Sequence, residues 1–157
     1  NVSVAASLAG ELGDALEAKL ADAIGGELGR RQGWTDGLWR GLRGSPVETV
    51  VMTRFASSLK DEDATVRWRA ADALGRIGSE RGIEPLLGLL KDKADTVRWS
   101  AAVALGSIGS ERAIEPLLGL LKDKADTVRW RAAVALGRIA DRKSRALTQV
   151  QPGGHPQ

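Results

Sequence analysis

"DKADTVRWSAAVALG" occupies residues 92–106, and "DKADTVRWRAAVALG" occupies residues 123–137, one period of 31 later. One period earlier, residues 61–75 read "DEDATVRWRAADALG". Comparing the full units 61–91 and 92–122 leaves seven mismatches, so 24 of 31 positions agree. A third copy begins at Asp123 and fades after Ile139. Self-similarity at such a period is the mark of a solenoid, in which each unit buries its apolar face only against its neighbours.

Each unit reads as two helices. Stepping about 100° per residue along "TVRWRAADALGRI", Ala70, Ala73, Leu74 and Ile77 all fall within about 80° of Val66, which makes one apolar face. Gly78 is placed to end that helix, because the position just past a helix favours a left-handed residue, and Ser79 can begin the next turn. In "IEPLLGLLK" the residues expected inward are Ile83, Leu86, Leu87 and Leu90. Pro85 falls early in this helix, where a missing N–H is best tolerated. The start of the first helix varies. Asp63 precedes "ATV" in the first copy, whereas Asp95 and Asp126 stand directly before Thr-Val in the others. An acid at either place can cap free N–H groups and oppose the positive end of the helix dipole.

The pattern "VRWRAAxALGxIGSExAIEPLLGLLKD" resembles the short HEAT-like repeats named after phycobilisome lyases. The likeness covers about 61–140 closely and 35–60 loosely. It implies an all-α fold, a right-handed α-solenoid of antiparallel HEAT-like helix pairs. It also implies that Arg67, Arg98 and Arg129 serve a polar ladder between repeats, each with a nearby Asp. Such arrays mostly bind proteins, and some serve chromophore (bilin) lyases. The related deoxyhypusine hydroxylases bind iron through His-Glu pairs. No such pair occurs here, so that activity does not carry over.

The repeats have unlike flanks. "SPVETVVMTRFASSLK" (45–60) sets Phe55 and Leu59 one period before Leu86 and Leu90, as expected for the second helix of a degenerate repeat over 35–60. "WTDGLWRGLRG" would be its worn first helix. Residues 1–34 include "VAASLAGELGDALEAKLADAIGG", with Leu8, Leu12, Leu16, Leu20 and Ile24 four apart. That stripe drifts by about 40° per step, as in a helix contacted on more than one side. An N-terminal cap, a dimerisation or docking helix, and the remnant of an adjoining domain all fit it. Residues 123–150 read as a truncated capping repeat whose "ADRKSRALTQV" supplies a polar second helix, since an outer face meets water. "QPGGHPQ" (151–157) reads as a flexible tail.

Composition removes several function classes. The chain has 157 residues, no Cys, and a single His, His155, in the tail. A Ser-His triad or His-based metal site inside the fold is thereby excluded, and the compartment stays open, leaning to the cytoplasm. Net charge is +3, with seven basic and seven acidic residues in 1–60, while "DRKSR" (141–145) supplies two of the excess positive charges. Basic and acidic residues interleave, unlike the one-faced cluster of a nucleic-acid binder. Arg69, Arg76, Arg131 and Arg138 give way to Ser100 and Ser107 in the middle copy, which breaks the basic stripe at its centre. Nucleic acid is therefore not the expected partner. No apolar run approaches the roughly 18–20 residues of a membrane span, and no signal-peptide pattern opens the sequence. The first residue is Asn1 rather than Met, as expected of a processed or excised form.

Two sets of residues are candidates for partner binding. Trp68, Trp99 and Trp130 recur in register, about 200° round the helix from the apolar face. They would either pack over Gly75 and its equivalents beside the next repeat, with Arg stems in cation–π contact, or form an exposed ladder that grips a partner. Glu84, Gly88 and Lys91, repeated as Glu115, Gly119 and Lys122, are the non-core positions of the second helices, which line the concave side in this architecture. Glycine inside a helix costs about 1 kcal/mol relative to Ala, so something is expected to approach closely there, either a neighbouring helix or a partner. Asp61, Glu62 and Asp63 sit at a helix start, where capping accounts for them. No catalytic residue, metal site or cofactor is expected. The expectation is a non-enzymatic protein-binding scaffold, with a bilin-lyase subunit and end-to-end self-assembly as alternatives.

Overall fold

Glycine decides where each first helix stops. The computed structural model describes residues 15, 41–45 and 48–149. The segment 1–34 other than Ala15, most of the worn helix 34–44 and the tail 151–157 lie outside the described residues. The elements with full bounds are α1 (Glu48–Ser58), α2 (Ala64–Ile77), α3 (Ile83–Leu89), α4 (Asp95–Ile108), α5 (Ile114–Leu120) and α6 (Asp126–Gln149), and no strand occurs among the described residues. Gly78 and Gly109 end α2 and α4 with φ of 71° and 77°, their N–H groups donating to Leu74 and Leu105 carbonyls. This left-handed conformation is open to glycine at little cost. Ser79 and Ser110 then cap the 3-10 turns Glu80–Gly82 and Glu111–Ala113, which lead into α3 and α5.

The third copy departs from this plan. Ala140 stands where Gly78 and Gly109 stand in the earlier copies, so nothing favours a left-handed stop. The helix runs on for 24 residues to Gln149. The polar second helix expected from "ADRKSRALTQV" is thus the continuation of a first helix. Arg142 on this extension reaches back to donate to the Ser107 carbonyl at 3.0 Å and to the Ile108 carbonyl, satisfying the open end of α4. Lys143 pairs with Glu111 at 3.1 Å beside it.

The molecule is an all-α solenoid in two layers. The first helices stack in the order α2, α4, α6, and the second helices α3 and α5 each pack against the first helix that follows. The core between them is built from Ala70, Ala71, Leu74, Ile77, Ile83, Leu86, Val97, Leu105, Leu117, Val128 and Ile139, all essentially fully buried. Leu89 and Leu90 are buried, whereas Leu87 is only half-buried, so the inward leucine is one turn-position away from the sequence expectation. Helix α1 belongs to this core, packing against α2 as α3 packs against α4, with Phe55 and Leu59 buried.

Helix starts follow the acid's position. Asp63 is the N-cap of α2 and accepts from the Thr65 N–H at 2.8 Å. Asp95, one place further on, lies inside α4, whose cap residue Ala94 makes no side-chain cap bond. Its carboxylate accepts from the Thr96 N–H at 2.8 Å instead.

Candidate functional site

Two contacts recur at each junction between first helices. The first joins backbone to backbone through glycine. A Cβ placed on Gly75 would stand 2.7 Å from Ala104 Cα, and one on Gly106 would stand 2.8 Å from Ala135 Cα. Real Cβ atoms do not approach so closely, so bare glycine is what lets neighbouring helices meet. Ala104, not the Trp68 ring, therefore fills the space at Gly75.

The second contact is ionic. Arg67 donates from Nε and Nη2 to the Asp92 carboxylate at 2.8 and 3.0 Å. Its Nη1 donates to the Asp61 and Glu62 carbonyls, both at 2.8 Å. One repeat on, Arg98 makes the same fork with Asp123 at 2.8 and 3.0 Å and reaches the Asp92 and Lys93 carbonyls. Both pairs are nearly buried. The acid that opens the second and the third copy is thus the ladder partner of the preceding copy's Arg, 25 residues upstream. The same acid also orders its own turn, Asp92 accepting from the Ala94 N–H and Asp123 from the Ala125 N–H, each at 2.9 Å.

These surroundings set the protonation of the ladder. Burial pushes the Asp92 carboxyl up, but the Arg67 hydrogen bond, the Ala94 N–H and the neighbouring positive charges together hold it below the ordinary value. For Asp123 the Arg98 hydrogen bond is the largest influence, and it too lies below the ordinary value despite burial. Glu48, buried at the other end of the stack, is lowered by its bonds from Ser79 Oγ and from the Gly44 N–H at 2.6 Å. A carboxylate whose folded pKa is depressed stabilises the fold above its unfolded pKa and loses that contribution as pH falls through the folded value. Urea unfolding midpoints should therefore hold steady from about pH 7 to about pH 5 and fall below about pH 4. An Asp123→Asn variant should show a visibly shallower fall. Equal acid sensitivity in the variant would show that the ladder does not carry the effect.

The tryptophans take two different positions. Trp68 and Trp99 are half-buried and pack against the core, whereas Trp130 is 57% exposed. Arg69 lies 5.6 Å from the Trp68 ring centroid. Arg131 lies between two rings, 5.1 Å from that of Trp99 and 4.6 Å from that of Trp130. Such contacts are worth roughly 0.5–1 kcal/mol where exposed. In the middle copy Ser100 takes the Arg place and donates to the Trp68 carbonyl at 3.1 Å.

The second-helix candidates lie together on the surface. Glu84, Gly88, Lys91, Glu115, Gly119 and Lys122 are all exposed. Arg112 pairs with Glu84 across the repeat boundary. Nothing comes within 4 Å of a Cβ built at Gly88 or Gly119. Among the described residues no neighbouring helix accounts for these glycines, contrary to one of the two sequence expectations. Leu118, beside Gly119, is 43% exposed. This face and the tryptophans are not one site, because Trp68 and Trp99 belong to the seams between first helices.

A shallow polar cleft of about 400 Å³ lies between α4 and α6, lined by Gly106, Ser107, Arg138, Asp141, Arg142 and Arg145. Arg142 is already committed there to α4 carbonyls. Among the described residues, no group of three or more His, Cys, Asp or Glu gathers where a metal ion could bind, and no helix is long and apolar enough to cross a membrane. Two features escaped sequence reasoning. The Glu48–Ser79 pair lies in the degenerate copy, where no repeat pattern points to it. Arg142 gave a signal only as part of a basic run.

Comparison with known proteins bears on this geometry. The sequence profile of the HEAT repeats matches residues 52–137 and 94–150. No curated protein sequence matches the chain. Among solved structures, human deoxyhypusine hydroxylase in complex with glycerol is similar with a TM-score of 0.68 and 23% identity, over 99% of this chain and 51% of the other. A crystal structure of an engineered protein is similar with a TM-score of 0.54 and 26% identity, over 78% of this chain and 53% of the other. The chain spans about half the length of each, and the hydroxylase likeness is one of fold alone.

Proposed function

We propose that this chain, which belongs to the HEAT-repeat family, acts as a non-enzymatic scaffold that binds a protein partner along its second-helix face. Within the family, the repeat motif sides with the phycobilisome-lyase type, a subdivision that belongs to the proposal.

One observation carries the reading. Gly88 and Gly119 stand in helices, where glycine is poorer than Ala by up to about 1 kcal/mol, and among the described residues no neighbour stands within 4 Å to require them. They recur one period apart, flanked in both copies by an exposed Glu and an exposed Lys. A partner that approaches the backbone closely at two points, and pairs with charges of both signs, makes use of all six residues.

The test compares full-length chain with a Gly88→Arg/Gly119→Arg variant as bait in extracts of the source cells. Both sites are open, so helical content should be kept and the melting temperature should be no lower than that of the native chain. A partner held in stoichiometric amount by the native chain and lost by the variant supports the scaffold face. Equal retention by both baits overturns it.

A further inference from the structure

The last repeat exposes what the earlier repeats cover. Gly106 receives Ala135, yet nothing lies within 4 Å of a Cβ at Gly137, its equivalent on α6. Trp130 is exposed where Trp68 and Trp99 pack against the core. Arg67 and Arg98 are 7% exposed and bind the Asp of the following copy, whereas Arg129 is 40% exposed and turns back to Asp126 on its own helix. On the second-helix layer, Leu121 is 37% exposed and its equivalent Leu90 only 5%. Arg131 Nε, beside Trp130, is buried without a hydrogen-bond partner. Local sequence does not explain these differences, since "TVRW" and "ALG" are common to all three copies. Among the described residues no helix covers this face, and the two internal seams specify what would. It must bring an alanine to Gly137 and, 12 residues earlier, an acid to Arg129, as Ala104 follows Asp92 and Ala135 follows Asp123.

The chain itself contains such a segment. Residues 11–25 read "ELGDALEAKLADAIG", beside "DEDATVRWRAADALG" at 61–75. In this register Gly25 matches Gly75, Ala23 matches Ala73, and Glu11 falls on Asp61, the ladder position, 12 residues before Ala23. The segment lies outside the described residues. Its charge also suits the face. Residues 1–29 hold five acidic residues and one basic, whereas Arg129 and Arg131 flank Trp130 on α6.

We propose that the chain associates head to tail, the α6 face around Arg129, Trp130 and Gly137 receiving residues 11–25 of a second copy. Such a contact joins unlike surfaces and can extend from copy to copy. It uses a different face from the proposed scaffold surface, and either can fail without the other.

Complementation tests it. In sedimentation velocity the unmodified chain of 157 residues should exceed its monomer mass of 16.6 kDa increasingly with concentration. Gly137→Arg blocks one end and Ala23→Arg the other, and each variant alone should stay monomeric. Mixed in equal amounts, they should form a dimer and stop there, because each retains one intact end. Gly88→Arg, open but on the other layer, should associate like the native chain. Far-ultraviolet circular dichroism establishes that each variant is folded. A native chain that stays monomeric throughout, or a mixture that remains monomeric, overturns the proposal. So does either single variant associating as the native chain does.

Discussion

Arg98→Ala is expected to lower the free energy of unfolding by about 3–5 kcal/mol. The guanidinium is 7% exposed and the Asp123 carboxylate 11%. Removing the Arg leaves that carboxylate buried, with only the Ala125 N–H to answer it. It also frees the Asp92 and Lys93 carbonyls that Nη1 satisfies at 2.9 and 3.3 Å. The loss is that of an uncompensated buried charge, not the net worth of the pair. Replacing both partners, as in Arg98→Met/Asp123→Leu, should therefore recover most of it. Arg129→Ala supplies the contrast. Arg129 follows the same "DTV" but holds an exposed Asp126 on its own helix, so at low protein concentration the change should stay within about 1 kcal/mol. Urea unfolding checks both, with an unchanged slope marking a change of stability alone. Equal effects at positions 98 and 129 would show that burial does not set the strength of the ladder.

Gly106→Ala is expected to destabilise, and Gly137→Ala to stabilise, although both glycines end "VALG" within a helix. At Gly106 the new methyl would stand 2.8 Å from both Cα and Cβ of Ala135. The obstacle is backbone, so α6 itself must move, and overpacking of this kind costs about 1–3 kcal/mol. That outweighs the roughly 1 kcal/mol by which Ala is the better helix former. At Gly137 the space is open, and the helix preference should appear nearly whole. Gly75→Ala should follow Gly106, and Gly88→Ala should follow Gly137. Measured midpoints of the same sign at 106 and 137 would mean that the helix stack does not depend on the bare glycine.

Particular residues show how far reading the chain could go. The helix pair was legible because Gly78 and Gly109 punctuate it and Ile, Leu and Ala recur on one face. The break-free α6 could have been read too, since Ala140 replaces the expected glycine. The basic run after it suggested an exposed surface, which holds, but the helix simply continues. For the tryptophans and glycines, spacing alone left two readings open, and copies with the same letters turned out to differ. Trp99 and Trp130 are alike in sequence and unlike in exposure. Gly88 and Gly106 both lie in the last turn of a helix, one facing open space and the other an Ala135 backbone.

By itself the sequence determined the all-α solenoid, the period of its units and the residues that start and stop their helices. These follow from forces acting within one turn of chain: capping, glycine's left-handed freedom and the apolar stripe of a helix. Only the tertiary structure decided which Asp each Arg binds, which glycines are seams and which stand open among the described residues, and that Arg129 turns to Asp126 of its own helix while Trp130 is exposed. Those properties belong to the neighbour across the stack, and a residue's own surroundings in sequence do not say whether that neighbour is there.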